Sequence, residues 1–287
     1  PNAEPSAVEH IPEQILLIKR LIEGGKAYRA NDGSVYFKVD AFPEYGRLSR
    51  LADREITTSA TDRETSDEYE RDTAADFVLW KVRRPEDGEN FWESPWGQGR
   101  PGWHIECSAM SMKYLGESFD LHSGGVDLIF PHHENEIAQS ESVTGKIFAH
   151  HWFHIAHLMV EGRKMSKSLS NLHTLEELDQ KEYLAQEVRY VLLTGSYRQP
   201  LNFTFDSMKA SRKALGKLSE FAAKFGFKPS QGSSLETEFG PFRPVQEALL
   251  SDLNTPEALG RCFRLIRELG EAFERGEYEG EEEALNQ

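Results

Sequence analysis

Apolar residues in the first part of the chain recur every three or four positions, as they do on one face of an α-helix. They are Val8, Ile11, Ile15, Ile18 and Ile22. Ser6 can cap this helix at its start, and the pair Gly24 and Gly25 can end it. The chain is therefore predicted to open with an amphipathic helix.

A β-rich segment follows this helix. Residues 28–30 and 35–39 are rich in strand-forming side chains, and they flank Asn31-Asp32-Gly33-Ser34, a sequence typical of hairpin turns. Residues 52–75 are rich in Thr, Asp, Glu and Arg, which predicts a polar excursion with little order. Hydrophobic character returns at residues 77–80.

The middle of the chain alternates between helical and strand patterns. Helices are predicted at 106–115 and 131–140, the second beginning at Pro131, and strands at 119–122 and 153–160. The strand at 119–122 reads as buried and ends at Gly124 and Gly125. Because ligands bind where strands end in open α/β sheets, we predict an α/β fold with a ligand site there.

The last third of the chain is predicted to be all-helical. Its helical segments are 175–178, 184–193, 207–225 and 256–269, with a start signal at 252–255 for the last of them. Residues 277–283 are strongly acidic and are expected to fray.

Composition narrows the class of protein. The 287 residues are 38% hydrophobic, which is typical of a globular chain, and no apolar run is long enough to span a membrane. Two cysteines cannot form a disulfide framework, so a reducing cytoplasm is expected. The net charge of −15 argues against nonspecific binding of polyanions but leaves an RNA partner open. No membrane partner is expected.

Three residues of different chemistry suggest a metal site. A thiolate from Cys107, an imidazole from His132 and a carboxylate from Glu136 all suit zinc. His132 and Glu136 lie four positions apart on a predicted helix, so they share one face and can bind a single ion. The alternative is a small buried Cys107 beside a surface ion pair. His133 and Glu134 are expected to face another way, either supporting the ligands or facing solvent.

A lysine-rich loop follows at Lys164-Met165-Ser166-Lys167-Ser168. Two ammonium groups three positions apart can follow the phosphates of a nucleotide and neutralise the charge that develops as pyrophosphate leaves. A loop of solvated lysines is the simpler alternative, because short motifs by themselves are weak signals.

Three runs of sequence together resemble the cysteinyl-tRNA synthetases, which are class I aminoacyl-tRNA synthetases. The runs are residues 99–110, residues 124–136 and residues 164–168. The resemblance implies the second half of a Rossmann-like catalytic domain with a β-rich connective insertion, followed by an α-helical bundle. It implies these divisions: catalytic domain 1–25 and 95–170, connective insertion 26–94, stem-contact region 171–206, and partial helical bundle 207–287.

The resemblance also implies roles for individual residues. Cys107, His132 and Glu136 are expected to be three of four zinc ligands. Lys164 and Lys167 are expected to be catalytic and to contact ATP. The nucleotide is expected to lie close to Gly124, Gly125 and Asp127. The amino acid and its adenylate are expected to contact Trp103, His122 and Asp127.

The activity implied is ATP-dependent ligation of cysteine to its tRNA through cysteinyl-adenylate. Zinc would select the substrate thiolate, Mg²⁺ would accompany ATP, and a monomer is expected. Family members carry an H-x-G-H motif, a further zinc cysteine and an anticodon-binding region, and H-x-G-H does not occur in these 287 residues. We therefore expect part of a longer enzyme, inactive by itself and depleted in zinc.

Two other functional classes stay open. A cysteine ligase that transfers the adenylate to an amino sugar, like a mycothiol ligase, shares these motifs and has no anticodon-binding region. A noncatalytic binding module derived from a synthetase is the other possibility. Tests with each acceptor would separate the two ligases.

Overall fold

The computed structural model describes residues 1–51, 76–165, 173–226 and 240–277. The chain divides into two compact units, Pro1–His154 and Ile155–Gln287. The polar excursion predicted at 52–75 lies outside the described residues, as do nearly all of the acidic segment at 277–283 and Ser166 to Ser168 of the lysine loop.

The first unit combines helices with two sheets. Its helices are α1 (Ile11–Glu23), α2 (Trp103–Leu115) and α3 (Glu134–Thr144) in the described residues. Its strands are β1 (Ala27–Arg29), β2 (Val35–Phe37), β3 (Phe77–Val82), β4 (Gly99–Pro101), β5 (Phe119–Gly125) and β6 (Ala149–Ile155), the last running to the boundary between the units.

Helix α1 confirms the predicted opening helix but differs from it in two details. Ser6 does not cap it, because the helix begins at Ile11 and its N-cap position is His10. The buried face of the helix is rotated slightly from the predicted apolar face, and Val8 is exposed. The buried residues are Ile11, Gln14, Leu17, Ile18 and Leu21. Gly24 and Gly25 end the helix as predicted, the second at φ 69°.

Strands β1 to β4 form an antiparallel sheet in sequence order. The predicted hairpin is confirmed, with Ala27 opposite Phe37 and Arg29 opposite Val35. Side chains of α1, α2, α3 and this sheet form one hydrophobic core, in which Trp80 and Phe37 are fully buried. Burial of that apolar surface holds α2 and α3 together, and these two helices carry the candidate ligands.

Strands β5 and β6 pair with each other, and the helix α3 lies between them in the sequence. The prediction of a buried strand at 119–122 is wrong, since the Leu121 side chain is 57% exposed. Because β5 and β6 form a sheet of only two strands in the described residues, each strand has one neighbour, and part of the surface of each strand stays uncovered. The strand predicted at 153–160 is divided in two, because residues 156 and 157 interrupt it.

The second unit contains strands and helices. In its described residues the strands are β7 (Leu158–Val160), β8 (Arg163–Lys164) and β9 (Leu201–Phe203), and the helices are α4 (Leu175–Gln180), α5 (Ala185–Leu193), α6 (Phe205–Lys224), α7 (Arg243–Leu250) and α8 (Thr255–Glu274). Strand β7 pairs antiparallel with β8 and parallel with β9. The all-helical prediction is therefore wrong at β9.

The core of the second unit is apolar and small. It contains Val160, Leu178, Val191, Phe203 and Met208. The predicted start signal of α8 is confirmed, since the Asn254 side chain accepts a hydrogen bond from the backbone N–H of Glu257. No described helix has the length and hydropathy needed to cross a bilayer.

Candidate metal centre

Cys107, His132 and Glu136 come together although they lie on separate elements. Cys107 is in α2, Glu136 is in the first turn of α3, and His132 lies in the wide turn Ile129–His133 that leads into α3. One ligand atom from each residue lies within 4.8 Å of the other two. His132 and Glu136 are buried and Cys107 is partly buried. The fold thus places a thiol, an imidazole and a carboxylate around one point.

Glu136 carries a polar atom that the described protein does not satisfy. Its Oε1 lies 2.8 Å from His132 Nε2. The two atoms are close but not aligned for a hydrogen bond, and buried Oε1 has no hydrogen-bond partner among the described residues. Buried polar groups without partners are rare and costly, and a bound ion is one way in which such a group is satisfied. This oxygen is suited to binding a cation.

His104 holds the ring of His132 from the other side. The Nδ1 atoms of the two rings are 2.8 Å apart, so one proton is shared between them. Burial, and then the charge of His132, lowers the pKa of His104 to about 3, which keeps His104 neutral. A neutral His104 can accept a hydrogen bond from the Nδ1–H of His132, which leaves His132 Nε2 unprotonated beside Glu136. Metal-binding histidines are commonly oriented by such a partner.

The electrostatics of the group favour a cation. Burial raises the pKa of the Cys107 thiol to about 12, and the charges of Glu136 and Glu106 add to the effect. Burial also raises the pKa of Glu136, but the imidazoles of His122 and His132 outweigh burial and lower it to about 2. The carboxylate is therefore ionised near neutral pH, whereas the thiol stays protonated unless a cation stabilises its thiolate.

A second group of donors shares Glu136. His122 Nε2 donates to Glu136 Oε2 at 2.7 Å. His122, His133 and Glu136 also have ligand atoms that all lie within 4.8 Å of one another. His133 is buried, its Nδ1 lies 2.8 Å from His154 Nε2, and burial lowers its pKa to about 4.

The alternative in which His133 and Glu134 face solvent is wrong, because both are fully buried. Glu134 accepts hydrogen bonds from the backbone N–H groups of Gly46 and Ser49, each at 2.8 Å. The carboxylate therefore ties the loop after β2 to the start of α3. A helical position that faces away from a ligand pair can still face protein.

Gly124 and Gly125 make room for neighbouring side chains. A Cβ atom on Gly124 would lie 2.7 Å from His133 Cε1, and one on Gly125 would lie 2.3 Å from Asp127 Oδ1. Gly124 is therefore required by the packing of His133. The expected closeness of this turn to a nucleotide stays a prediction, as does the role of Asp127.

Trp103 forms the exposed side of the ligand group. Its ring lies 4.5 Å from the ring of His132, and its side chain is 58% exposed. A large aromatic surface left in water beside a buried polar cluster is suited to covering a small ligand. The expected contact of Trp103 with substrate stays a prediction.

Lys164, one of the two lysines expected at the phosphates, lies in the second unit. Lys164 belongs to β8, opposite Met159 of β7. Lys167 lies outside the described residues. The catalytic role expected of both lysines stays a prediction.

Sequence reasoning missed His104 and His154 as neighbours of the ligands. A signal was present, since eight of the ten histidines lie between His104 and His157. Clustering along the chain indicates a polar centre, but it does not indicate which rings face one another.

Comparisons with known proteins identify the family of the chain. A family model described as the catalytic domain of class I (C) tRNA synthetases matches residues 1–213. The chain belongs to this family. Membership confirms the predicted family, and it accounts for the alternation of strands and helices around the ligand group.

Curated relatives of this family cover nearly all of the chain. A protein named cysteine--tRNA ligase from Opitutus terrae is 53% identical over 276 residues, which are 95% of this chain and 59% of that protein. One of the same name from Chlamydia muridarum is 47% identical over 283 residues, 96% of this chain and 58% of that protein. The chain thus spans a little under three fifths of these relatives.

Solved class I synthetases share the fold. Mycobacterium tuberculosis methionyl-tRNA synthetase bound by methionyl-adenylate superposes with a TM-score of 0.60 at 15% identity, over 96% of this chain and 68% of that chain. A second structure of that synthetase, in complex with methionyl-adenylate, gives a TM-score of 0.59 at 17% identity, again over 96% of this chain and 68% of that one. The predicted α/β, Rossmann-like class is confirmed.

Proposed function

We propose that Cys107, His132 and Glu136 bind zinc, and that the site selects cysteine for ATP-dependent ligation to tRNA. The observation that carries the proposal is the meeting of three different donors around a buried oxygen without a hydrogen-bond partner among the described residues. If His132 donates its Nδ1–H to His104 in a hydrogen bond, Nε2 carries no proton, and two electron-rich atoms, Nε2 and Oε1, lie 2.8 Å apart. They repel unless a cation lies between them.

The donor set fits zinc. Zinc takes thiolate, imidazole and carboxylate ligands, usually four in number, and a site with three protein ligands keeps a position for another. When bound there, zinc supplies a cation that favours the thiolate form of a thiol substrate over its thiol form. The partly exposed Cys107 and the exposed Trp103 form the side from which a small molecule can reach the ligands.

The chain's own residues are proposed to bind and orient the substrates. Trp103 covers the amino acid, while His122 and Asp127 hold its polar groups. The carboxylate of cysteine attacks the α-phosphate of ATP and releases pyrophosphate, and a ribose hydroxyl of tRNA then takes the cysteinyl group from AMP. No protein nucleophile is required, which agrees with a Cys107 thiol that is protonated unless a cation is bound.

Lys164 and Lys167 are proposed to neutralise the phosphates as pyrophosphate leaves, with Mg²⁺ bound to ATP. The turn at Gly124 and Gly125 is proposed to lie beside the nucleotide. The acceptor proposed is tRNA, because the curated relatives carry the name cysteine--tRNA ligase. The monomeric state and a cytoplasmic location stay predictions from the sequence.

A bound metal ion can distinguish cysteine from serine. An apolar pocket separates two side chains of nearly the same size by only about 1–3 kcal/mol. A soft thiolate binds zinc far better than a hydroxyl, which stays protonated near neutral pH. A ligand group at the bottom of the pocket can therefore reject serine without a second, editing site.

Calorimetry of amino-acid binding tests the proposal independently of turnover. Protein loaded with one equivalent of zinc should bind cysteine and reject serine, and metal-free protein should lose that preference. The variant Cys107→Ser should lose it too, while Cys262→Ser, the matched control in the second unit, should keep it. Equal binding of cysteine and serine by zinc-loaded protein would refute the proposed selection. A cysteinylation assay of the expected full-length enzyme, with tRNA and with an amino sugar, then identifies the acceptor.

A further inference from the structure

Glu136 presents its two oxygens to two different groups of donors. Oε1 lies 2.8 Å from His132 Nε2, in the group that includes Cys107. Oε2 lies 2.7 Å from His122 Nε2, in the group that includes His133. A carboxylate that faces nitrogen donors through both oxygens is placed to bridge two cations, as carboxylates do in two-metal sites.

We infer that His122, His133 and Glu136 form a second zinc position, bridged through Glu136 to the one at Cys107. Two imidazoles and one carboxylate are a ligand set that zinc enzymes use, with a fourth position left for water. The ligand atoms of this set already lie within 4.8 Å of one another. Small movements of the side chains would bring all three to bonding distance of one ion.

His133 has the surroundings of a metal ligand. Its Nδ1 lies 2.8 Å from His154 Nε2, so that the ring is held by a partner and Nε2 is the ligand candidate. The ring of Trp152 lies 5.0 Å from His133 and 4.8 Å from His122. An aromatic ring beside two imidazoles limits their rotation. Gly124 has no side chain, which leaves the space that the His133 ring needs.

The two positions differ in the chemistry of their donors. The position at Cys107 has a thiolate and therefore favours soft ions, whereas the second has nitrogen and oxygen only. The second position should be the weaker for zinc, and it should fill as the zinc concentration rises. In the proposed enzyme an ion there would occupy His122, so excess zinc should weaken cysteine binding. The expected loss of cysteine binding rests on the proposed function. Binding of an ion by His122, His133 and Glu136 does not.

Titration of the metal-free chain with Co²⁺ tests the inference. Co²⁺ bound to Cys107 gives a sulfur-to-metal charge-transfer band, and Co²⁺ at the second position gives only weak visible bands. We expect two ions per chain. His133→Gln should keep the charge-transfer band and weaken the second ion by more than about 100-fold, the upper end of the cost of losing an orienting partner. Cys107→Ser should lose the band and keep the second ion.

Because His133 is buried, the partly exposed His122→Asn is the parallel variant, and circular dichroism checks the fold of both. His151→Gln changes an exposed histidine of β6 and should bind as the unaltered chain does. Uptake of one ion by the unaltered chain contradicts the inference. So does retention of two ions by folded His133→Gln and His122→Asn, or loss of both ions by Cys107→Ser.

Discussion

Each unit of the molecule buries at least one carboxylate, and two of these, Glu136 and Glu187, have different partners. Glu187 in the second unit accepts from Arg212 at 2.5 and 3.1 Å and from the backbone N–H of Leu184 at 3.0 Å. Glu136 in the first unit lies beside the imidazoles of His122 and His132, and its Oε1 has no hydrogen-bond partner among the described residues. Both oxygens of Glu187 accept hydrogen bonds within the protein, so its role is structural. Glu136 is suited to binding a cation.

The contrast separates a structural carboxylate from a functional one. Both pKa values lie below the ordinary glutamate value. Hydrogen bonding to Arg212 is the main cause at Glu187, and the imidazoles that outweigh burial are the cause at Glu136. A guanidinium carries a permanent positive charge, whereas an imidazole carries one only when it is protonated. The partners of a carboxylate therefore indicate its role better than its pKa does.

The largest effect is expected from removing the charge of Glu136. Glu136→Gln should weaken zinc binding by more than about 100-fold, beyond the loss of an orienting partner. Competition with a chromogenic chelator measures the affinity. Glu187→Gln is the matched control and should bind zinc like the unaltered chain. Equal zinc affinity in the two variants would remove the distinction between the two carboxylates.

A methyl group added at Gly124 should disturb the site through its packing. Gly124→Ala places a carbon 2.7 Å from His133 Cε1 and 2.9 Å from Leu128 Cδ1. We expect a loss of about 3 kcal/mol in the free energy of unfolding, the upper end for overpacking. Urea denaturation measures it. Gly145→Ala is a poor control because of its positive φ, so Gly216→Ala, with open space around it, is preferred. A stable Gly124→Ala would contradict this packing.

Loss of a hydrogen bond accepted by Glu134 should have the next largest effect, on the free energy of unfolding. The variant Glu134→Gln replaces one oxygen with an N–H₂ group, which faces a backbone N–H and cannot accept from it. The free energy of unfolding should fall by about 2 kcal/mol, within the range for a buried donor left without a partner. Glu177→Gln, at an exposed position, is the control. A change no larger than the control's would show that the loop does not depend on Glu134.

The smallest effect is expected at Glu187. Because Arg212 is largely exposed, Glu187→Gln should cost about 1 kcal/mol near neutral pH. The folded pKa of Glu187 is lowered, so the unfolded chain binds the proton more tightly, and the stabilisation is lost as pH falls through the folded pKa. Thermal midpoints of variant and unaltered chain should therefore converge below the ordinary carboxyl pKa. A constant difference down to strong acid would contradict the ion pair.

The sequence could predict those parts of the molecule that depend on local pattern. Spacing placed His132 and Glu136 on one face, and Asn31 to Ser34 predicted the hairpin. It could not predict which groups meet across elements, such as His104 with His132 or Glu134 with the loop at Gly46. Cys107 could be assigned to the ligand group only through the family resemblance. The spacing of residues along the chain does not show how two helices pack.

The errors have physical causes. Leu121 was expected to be buried, but an apolar run does not show how many neighbours a strand has. Helix α7 was missed because Pro244, which is tolerated in a first helical turn, resembles a helix breaker in the sequence. Strand β9 is only three residues long and pairs in parallel with a strand about forty residues earlier, so its partner is not visible locally.

X-ray absorption at the zinc edge tests the central claim most directly, with the chain loaded with one equivalent of zinc. The account predicts one sulfur neighbour from Cys107 together with nitrogen and oxygen neighbours, and a second sulfur neighbour when cysteine is added but not when serine is added. A zinc ion without a sulfur neighbour, or a spectrum that cysteine leaves unchanged, would contradict it.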